Sequence, residues 1–259
     1  MLATERVGRI LVATLARPPV NALDGDLIAR LDAALDQAAA DPEVAILHIR
    51  SDQKSFCAGA DLALMRECFT TGSRAAMVDV VRSMQRLFTR LETASVVTIA
   101  EIGGAAMGGG LELALACDLR VVAIDAMLGL PEVGLGLIPA AGGTQRLTRL
   151  CGQATAKRLI FGAELIDGAE ALRLGIVQWA QPRDKLASWT REFAAHLSGM
   201  PKAALLASKR CIHAEGDSSR DGFAEELTAT RRLYEHPETV VKVSEFVNKR
   251  DPIATKESP

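Results

Sequence analysis

The run Val96-Val97-Thr98-Ile99-Ala100-Glu101-Ile102, followed at once by the glycine-rich stretch Gly103–Gly110, constrains this chain more than any other segment. A short, nearly continuous apolar stretch reads as a strand with both faces covered. Glycines directly after it allow a sharp turn into the next element, Leu111–Cys117, which has few helix breakers. The same alternation recurs on either side. Arg9–Thr14 reads as a strand stopped by Arg17-Pro18-Pro19, and Asp24 can cap a helix whose apolar residues Leu27, Ile28, Leu31, Ala34 and Leu35 recur at helical spacing. Val44–Arg50 and Leu119–Ile124 read as further strands. Ala75–Leu91 carries a helical stripe through Met77, Val80, Val81, Met84, Leu87 and Phe88. This pattern predicts an α/β fold of stacked ββα or βαβ units.

The C-terminal part differs. Thr144–Leu150, Ala154–Phe161, Gly168–Leu174, Lys185–Leu197, Lys202–Ala214, Arg220–Leu233 and Glu238–Arg250 read as helices, with Ile176–Trp179 a lone strand. The expected division is a sheet-rich core over residues 1–196 and a helical region over 197–259. Aromatic residues make up only 4% of the chain, so Leu, Ile, Val and Ala must build the core.

Several function classes are disfavoured. Thirty Lys and Arg against 32 Asp and Glu give a net charge of -2, without the basic footprint of a nucleic-acid binder. Cys57, Cys68, Cys117, Cys151 and Cys211 are odd in number and form no C-x-x-C pair; His48, His196, His213 and His236 are scattered. Reduced thiols are expected, and neither a disulfide frame nor a metal site is. The N-terminus lacks a secretory pattern, and Ile102–Leu111 and Val133–Gln145 are too short and too rich in Gly and Pro to span a bilayer, so a cytoplasmic, membrane-free protein is expected.

Three segments can carry chemistry. Phe56-Cys57-Ala58-Gly59-Ala60-Asp61-Leu62 joins a strand to a helix through small residues that let backbone N–H groups reach a ligand; alternatively it is only a tight turn. Met107-Gly108-Gly109-Gly110-Leu111-Glu112 puts three glycines at a helix start, where free N–H groups suit a phosphate or a developing oxyanion. It has neither the G-x-G-x-x-G spacing of a dinucleotide site nor the Lys-Ser/Thr of a P-loop. In the third, Leu130–Pro139, Glu132 stands alone among apolar and glycine neighbours, as Glu112 does between Gly110 and Cys117. Burial would raise the pKa of either carboxyl toward the range of a general acid–base. The plainer alternative is that each pairs with Arg120 or Arg146, or caps a helix.

From Arg17-Pro18-Pro19-Val20-Asn21-Ala22-Leu23 to Phe246-Val247-Asn248-Lys249-Arg250 the chain resembles the enoyl-CoA hydratase/isomerase (crotonase) family, most strongly at Phe56–Leu62, Gly108–Asp118 and Ile138–Leu147. The resemblance implies a spiral of ββα units with a helical C-terminal region that builds a trimer, commonly a hexamer of two trimers. It implies an oxyanion hole from the N–H groups of Ala60 and Gly109, which polarises a thioester carbonyl. Glu112 and Glu132 would be the two catalytic glutamates, Glu132 moving the α-carbon proton and Glu112 orienting the water. Retention of both favours reversible hydration of a 2-enoyl-CoA; double-bond isomerisation, or a dehydratase of a specialised acyl-CoA, is the alternative.

By the same resemblance, coenzyme A would rest on the backbone of Ala58, Ala60, Asp61 and Leu62, with Tyr234 and Lys256 as C-terminal contacts. Lys54 is a second candidate for its 3′-phosphate, with a solvated surface lysine as the alternative. Coenzyme A arrives as part of the substrate, so no cofactor, metal, flavin or nicotinamide is expected. A related branch binds AU-rich RNA through a lysine-rich first helix. Here Leu27–Glu43 carries Arg30 against Asp32, Asp36, Asp41 and Glu43, a face that would repel phosphate. Asp118 is expected to satisfy backbone groups, and Cys57 and Cys117 to pack as small residues.

Overall fold

Six strands make the sheet that carries the first half of the chain in the computed structural model, which describes residues 1–250. β1 (Leu2–Val7) pairs antiparallel with β2 (Ile10–Leu15). From β2 outward every pairing is parallel: β3 (Ile46–Ser51), β4 (Val97–Ile102), β6 (Leu119–Ala123) and β8 (Trp179–Gln181). All six residues of β4 are buried, as its apolar run predicts for a strand covered on both faces. His48 and Glu101, on neighbouring strands, meet in this interior at 3.1 Å. β1 has no counterpart in the sequence reading because it is a largely exposed edge strand without apolar alternation.

Helix α1 (Gly25–Ala40) begins where Asp24 accepts from the Leu27 N–H at 2.8 Å, and buries Leu27, Ile28, Leu31, Ala34, Leu35 and Ala38. Helix α2 (Leu62–Thr71) stops at Gly72, which takes the left-handed conformation that ends helices cheaply, and α3 (Arg74–Glu92) follows. Helix α7 (Arg183–Ser198) packs across β2, β3, β4, β6 and β8.

A smaller parallel pair, β5 (Ala106–Met107) and β7 (Leu128–Gly129), escaped the sequence reading because two-residue strands carry no periodicity. It is extended by single bridges from Cys57 to Ala106 and from Leu128 to Ile166, so four distant segments lie edge to edge. Out of this ladder come α4 (Gly109–Leu115), a 3-10 turn (Pro131–Leu135), α5 (Gly143–Phe161) and α6 (Gly168–Arg173). The helices expected at Thr144–Leu150 and Ala154–Phe161 are the two halves of α5, which breaks at Gly152, where the backbone is not helical. The lone strand falls at Trp179–Gln181 rather than Ile176–Trp179.

The chain divides into two compact units, Met1–Ser198 and a second beginning at Gly199. The second is helical, with α8 (Lys202–Ala214), α9 (Gly222–Tyr234) and α10 (Pro237–Arg250). Asp221 caps α9 by accepting from the Ala224 N–H at 3.0 Å.

One side chain ties the N-terminal segment to the end of β3. Asn21, fully buried at φ 52°, donates to Ser51 Oγ (2.7 Å) and the Phe56 carbonyl (3.0 Å) and accepts from the Arg17 N–H (2.8 Å). Asn21→Ala removes all three and leaves buried partners unsatisfied, so urea denaturation is expected to show a loss of about 3 kcal/mol.

Candidate active site

The first turn, residues 56–61, is held from below by the segment after the prolines. Ala58 N–H donates to the Val20 carbonyl (3.0 Å), Leu23 N–H to that of Gly59 (2.7 Å), and Asp61 N–H to that of Leu23 (3.1 Å). Asp61 then caps α2, accepting from Ala63 N–H at 2.8 Å and from Leu64 N–H at 3.2 Å, while its other oxygen takes Arg17 Nη2 at 2.6 Å. Gly59 lies at φ 89°, and a Cβ there would sit 2.8 Å from the Met107 carbonyl oxygen and 3.1 Å from the Gly109 nitrogen. The first turn therefore touches the second through bare backbone.

The second turn is fixed from both sides. Met107 N–H donates to the Cys57 carbonyl (3.0 Å) and Gly108 N–H to the Gly129 carbonyl (2.9 Å). Any side chain on Gly110 would run into the Cys57 carbonyl oxygen, so only glycine lets α4 start here. Among the described residues neither the Ala60 nor the Gly109 N–H is hydrogen-bonded. Two free donors on touching turns can polarise one oxygen atom.

Glu112, in the first turn of α4, is 2% exposed, and its Oε1 accepts from the Gly143 N–H at 2.7 Å. Burial pushes its pKa up to about 7; the Gly143 amide opposes this, Glu132 adds to it by repulsion, and the Ala141 amide and Arg146 oppose it. Glu132 is half-buried on the 3-10 turn, its carboxylate against the α-carbon of Gly108. Burial raises its pKa too, and its Oε2, shielded from solvent, has no hydrogen-bond partner among the described residues. The alternative that Arg120 or Arg146 neutralises these acids is overturned. Arg120 donates to the carbonyls of Ile176 (2.8 Å) and Cys117 (2.6 Å), and Arg146 to Glu92 (2.7 Å) and the Ala141 carbonyl (2.9 Å). Two desolvated, unpaired carboxyl groups beside two free N–H donors can exchange protons with a substrate whose carbonyl the donors hold.

The chain matches the enoyl-CoA hydratase/isomerase family model over residues 5–256. It belongs to that family. It is 38% identical over 211 residues to the short-chain-enoyl-CoA hydratase of Clostridium acetobutylicum, covering 81% of this chain and 79% of that one. It is 33% identical over 253 residues to the 2,3-dehydroadipyl-CoA hydratase of Escherichia coli, covering 97% of each. A solved structure of an enoyl-CoA hydratase from Bacillus anthracis superposes with a TM-score of 0.89 at 29% identity, covering 97% of this chain and 98% of that one. The mixed α/β architecture is thus that of the family, with its helical C-terminal region present.

The remaining candidate residues are spread. Ala58, Leu62 and Lys54 are exposed along the first turn and its approach. Tyr234 closes α9 in the second unit, exposed to solvent, and Lys256 lies outside the described residues. The Cys57 thiol donates to the Asn21 carbonyl at 3.0 Å, and burial pushes its pKa up to about 12, which suits packing and not nucleophilic attack. Asp118 accepts from the Thr98 N–H (2.8 Å) and hydroxyl (3.0 Å), a backbone-satisfying role. Among the described residues no three His, Cys, Asp or Glu side chains gather to hold a metal, and no helix is long and apolar enough to cross a membrane.

An open groove of about 690 Å³ runs past Asp61 between α1 and α2, but its lining of Asp24, Asp26, Asp61 and Glu67 against Arg66 does not reach either glutamate. Sequence reasoning missed the supports of the site: Asn21, Gly143 and the true partner of Arg146. The first lies in the segment quoted for the resemblance, but nothing in its immediate sequence shows what it holds.

The raised value at Glu112 has a consequence for stability. The carboxyl binds its proton more tightly folded than unfolded, so stability is fullest below the ordinary glutamate range and is lost as pH rises through about 7. Glu112→Gln, which copies the neutral acid, is expected to raise Tm little at pH 5 and increasingly toward pH 8. The gain approaches roughly 3 kcal/mol at most, read by calorimetry across that range.

Proposed function

We propose that this chain is an enoyl-CoA hydratase, adding water reversibly and syn across the double bond of a 2-enoyl-CoA thioester. The observation that carries the reading is the pair of desolvated carboxyl groups, Glu112 and Glu132, ranged beside the free N–H groups of Ala60 and Gly109. The thioester oxygen accepts from both N–H groups, which drains charge from the β-carbon and stabilises an enolate. Glu112 takes a proton from the water as its oxygen bonds to the β-carbon. Glu132 gives a proton to the α-carbon as the enolate collapses to the thioester. Each carboxyl ends in the other's starting state, and exchange with solvent resets the pair. Water, thioester and these groups complete the balance without any further redox or group-transfer partner.

The adenine end is assigned to the backbone of Ala58, Ala60, Asp61 and Leu62, with Lys54, Tyr234 and Lys256 as the remaining coenzyme A contacts. Residues 1–196 form the catalytic region and 197–259 the assembly region of a homotrimer or of a hexamer of two trimers. In support, the second unit leaves Phe223 82% exposed, with Leu227, Val240, Val243 and Phe246 also at the surface, large apolar side chains that an assembly would cover. Five free thiols fit a cytoplasmic setting.

Hydration of crotonyl-CoA, followed as loss of the conjugated thioester's absorbance, is the test. Wild type is expected to turn over, and Glu112→Gln and Glu132→Gln each to lose about 10²–10⁴-fold in kcat, the span of one acid–base group, with KM little changed. No wild-type turnover, or full activity in either variant, would overturn the reading; conversion of a 3-enoyl-CoA without hydration would point instead to an isomerase.

A further inference from the structure

Arg146 is buried to 8% exposure in the first turn of α5, yet it touches neither proposed acid. Its guanidinium donates to Glu92 Oε2 at 2.7 Å, at the end of α3, and to the Ala141 carbonyl at 2.9 Å. It also fills the space over Gly142, whose φ of 109° and lack of a side chain leave room for it. On the other side of the same short segment stands Glu112. Gly143 N–H reaches its Oε1 at 2.7 Å, and a Cβ on Gly143 would lie 2.9 Å from that oxygen and 2.7 Å from the Cβ of Pro139. Two charged side chains therefore grip opposite sides of three residues, Ala141-Gly142-Gly143.

We propose that Arg146, anchored by Glu92, is a positioning residue for Glu112: it fixes the Ala141–Gly143 backbone so that Gly143 presents its N–H to the Glu112 carboxylate. This rests on the reading of Glu112 as an acid–base group. Turning the Ala141 carbonyl away from Arg146 would rotate the following peptides and withdraw the 2.7 Å hydrogen bond that Gly143 gives Glu112 Oε1. Cost points the same way. A guanidinium at this depth is expensive to desolvate, its Nε has no hydrogen-bond partner among the described residues, and an apolar side chain would pack there more cheaply.

The arrangement also sets a charge balance. The charged groups ranged about Glu112 are Glu132 on the 3-10 turn, Arg146 on α5 and, behind Arg146, Glu92 on α3; β5, also packed against α4, brings only Ala106 and Met107. Repulsion from Glu132 and burial favour the protonated acid, while Arg146 favours the carboxylate. Glu92 partly cancels Arg146. Charge alone would make neutralising Arg146 raise the Glu112 midpoint and neutralising Glu92 lower it, whereas loss of the backbone grip raises it in both cases.

The test is an infrared titration of the Glu112 carboxyl in protein carrying 13C-labelled glutamate, with Glu112→Gln subtracted, beside the pH profile of crotonyl-CoA hydration. Arg146→Gln is expected to raise the Glu112 midpoint by about one pH unit, move the acid limb of kcat equally and lower kcat tenfold or more with KM within twofold. Arg146→Lys should return the midpoint to the wild-type position. Glu92→Gln, at a site open enough to tolerate it, releases the anchor and should also raise the midpoint, and it decides the matter if Arg146→Gln does not fold. An unmoved or lowered midpoint in Glu92→Gln, or an unmoved one in a folded Arg146→Gln, would overturn the proposal, as would an Arg146→Lys midpoint as high as that of Arg146→Gln. Raised midpoints in both variants, with a wild type that fails to hydrate crotonyl-CoA, would uphold the coupling and sink the hydratase reading alone.

Discussion

The contact between two bare turns, residues 56–61 and 107–110, is the constraint on which the rest of the site depends. Backbone packs on backbone there: Gly59 against Met107 and Gly109, and Gly110 against the Cys57 carbonyl. Only such an approach lets the turns that carry the Ala60 and Gly109 N–H groups touch without an intervening side chain. The sheet's part is to make that approach repeatable. β3 and β4 are parallel and in register, so the turns that follow them leave the same edge, and the bridge from Cys57 to Ala106 continues the pairing beyond the strands proper. A close approach of two polar backbones is tolerable only if their other groups are satisfied. Here Val20, Leu23 and Gly129 take or give the remaining bonds.

Against that frame the carboxyl groups are held at unequal depth. Glu112 sits on a helix whose residues are all buried, gripped by an amide; Glu132 sits on a short 3-10 turn, half-buried, with one oxygen uncommitted. Equal environments would give the two acids equal proton affinity and no preferred direction of transfer. Unequal ones favour the proton on one acid over the other, and repulsion from Glu132 adds to the hold of Glu112 on its proton.

Much of this was legible in the sequence, for identifiable reasons. The apolar run of β4 announced a doubly covered strand, and the stripe of α1 with Asp24 before it announced a capped helix; both are local patterns with a fixed period. Glu112 and Glu132 stood out because an acid isolated among apolar and glycine residues has few bland explanations. What stayed illegible depends on partners far away in the chain. Arg146 is 54 residues from Glu92, and no spacing rule links them; the sequence suggested a glutamate nearer in function and the structure gave it another. Asn21 reaches 30 residues to Ser51 and 35 to Phe56. β1, β5 and β7 are too exposed or too short to leave a periodic trace.

The same distinction explains why the site is built where folding is least favoured. Burying Glu112 opposes stability, and so does burying Arg146 with one nitrogen unpaired. Neither cost is forced by the fold, since α4 and α5 would pack at least as well around apolar side chains at these places. What such a core would lose is the charge balance about Glu112. An apolar residue at 146 leaves the Ala141 carbonyl without its donor and removes a positive charge that favours the Glu112 carboxylate, so Glu112 would hold its proton more tightly. In the proposed hydration Glu112 must be able to release its proton near neutral pH. With the Gly143 and Ala141 amides, the buried arginine helps a deeply desolvated carboxyl to ionise, and the two destabilising choices are physically one.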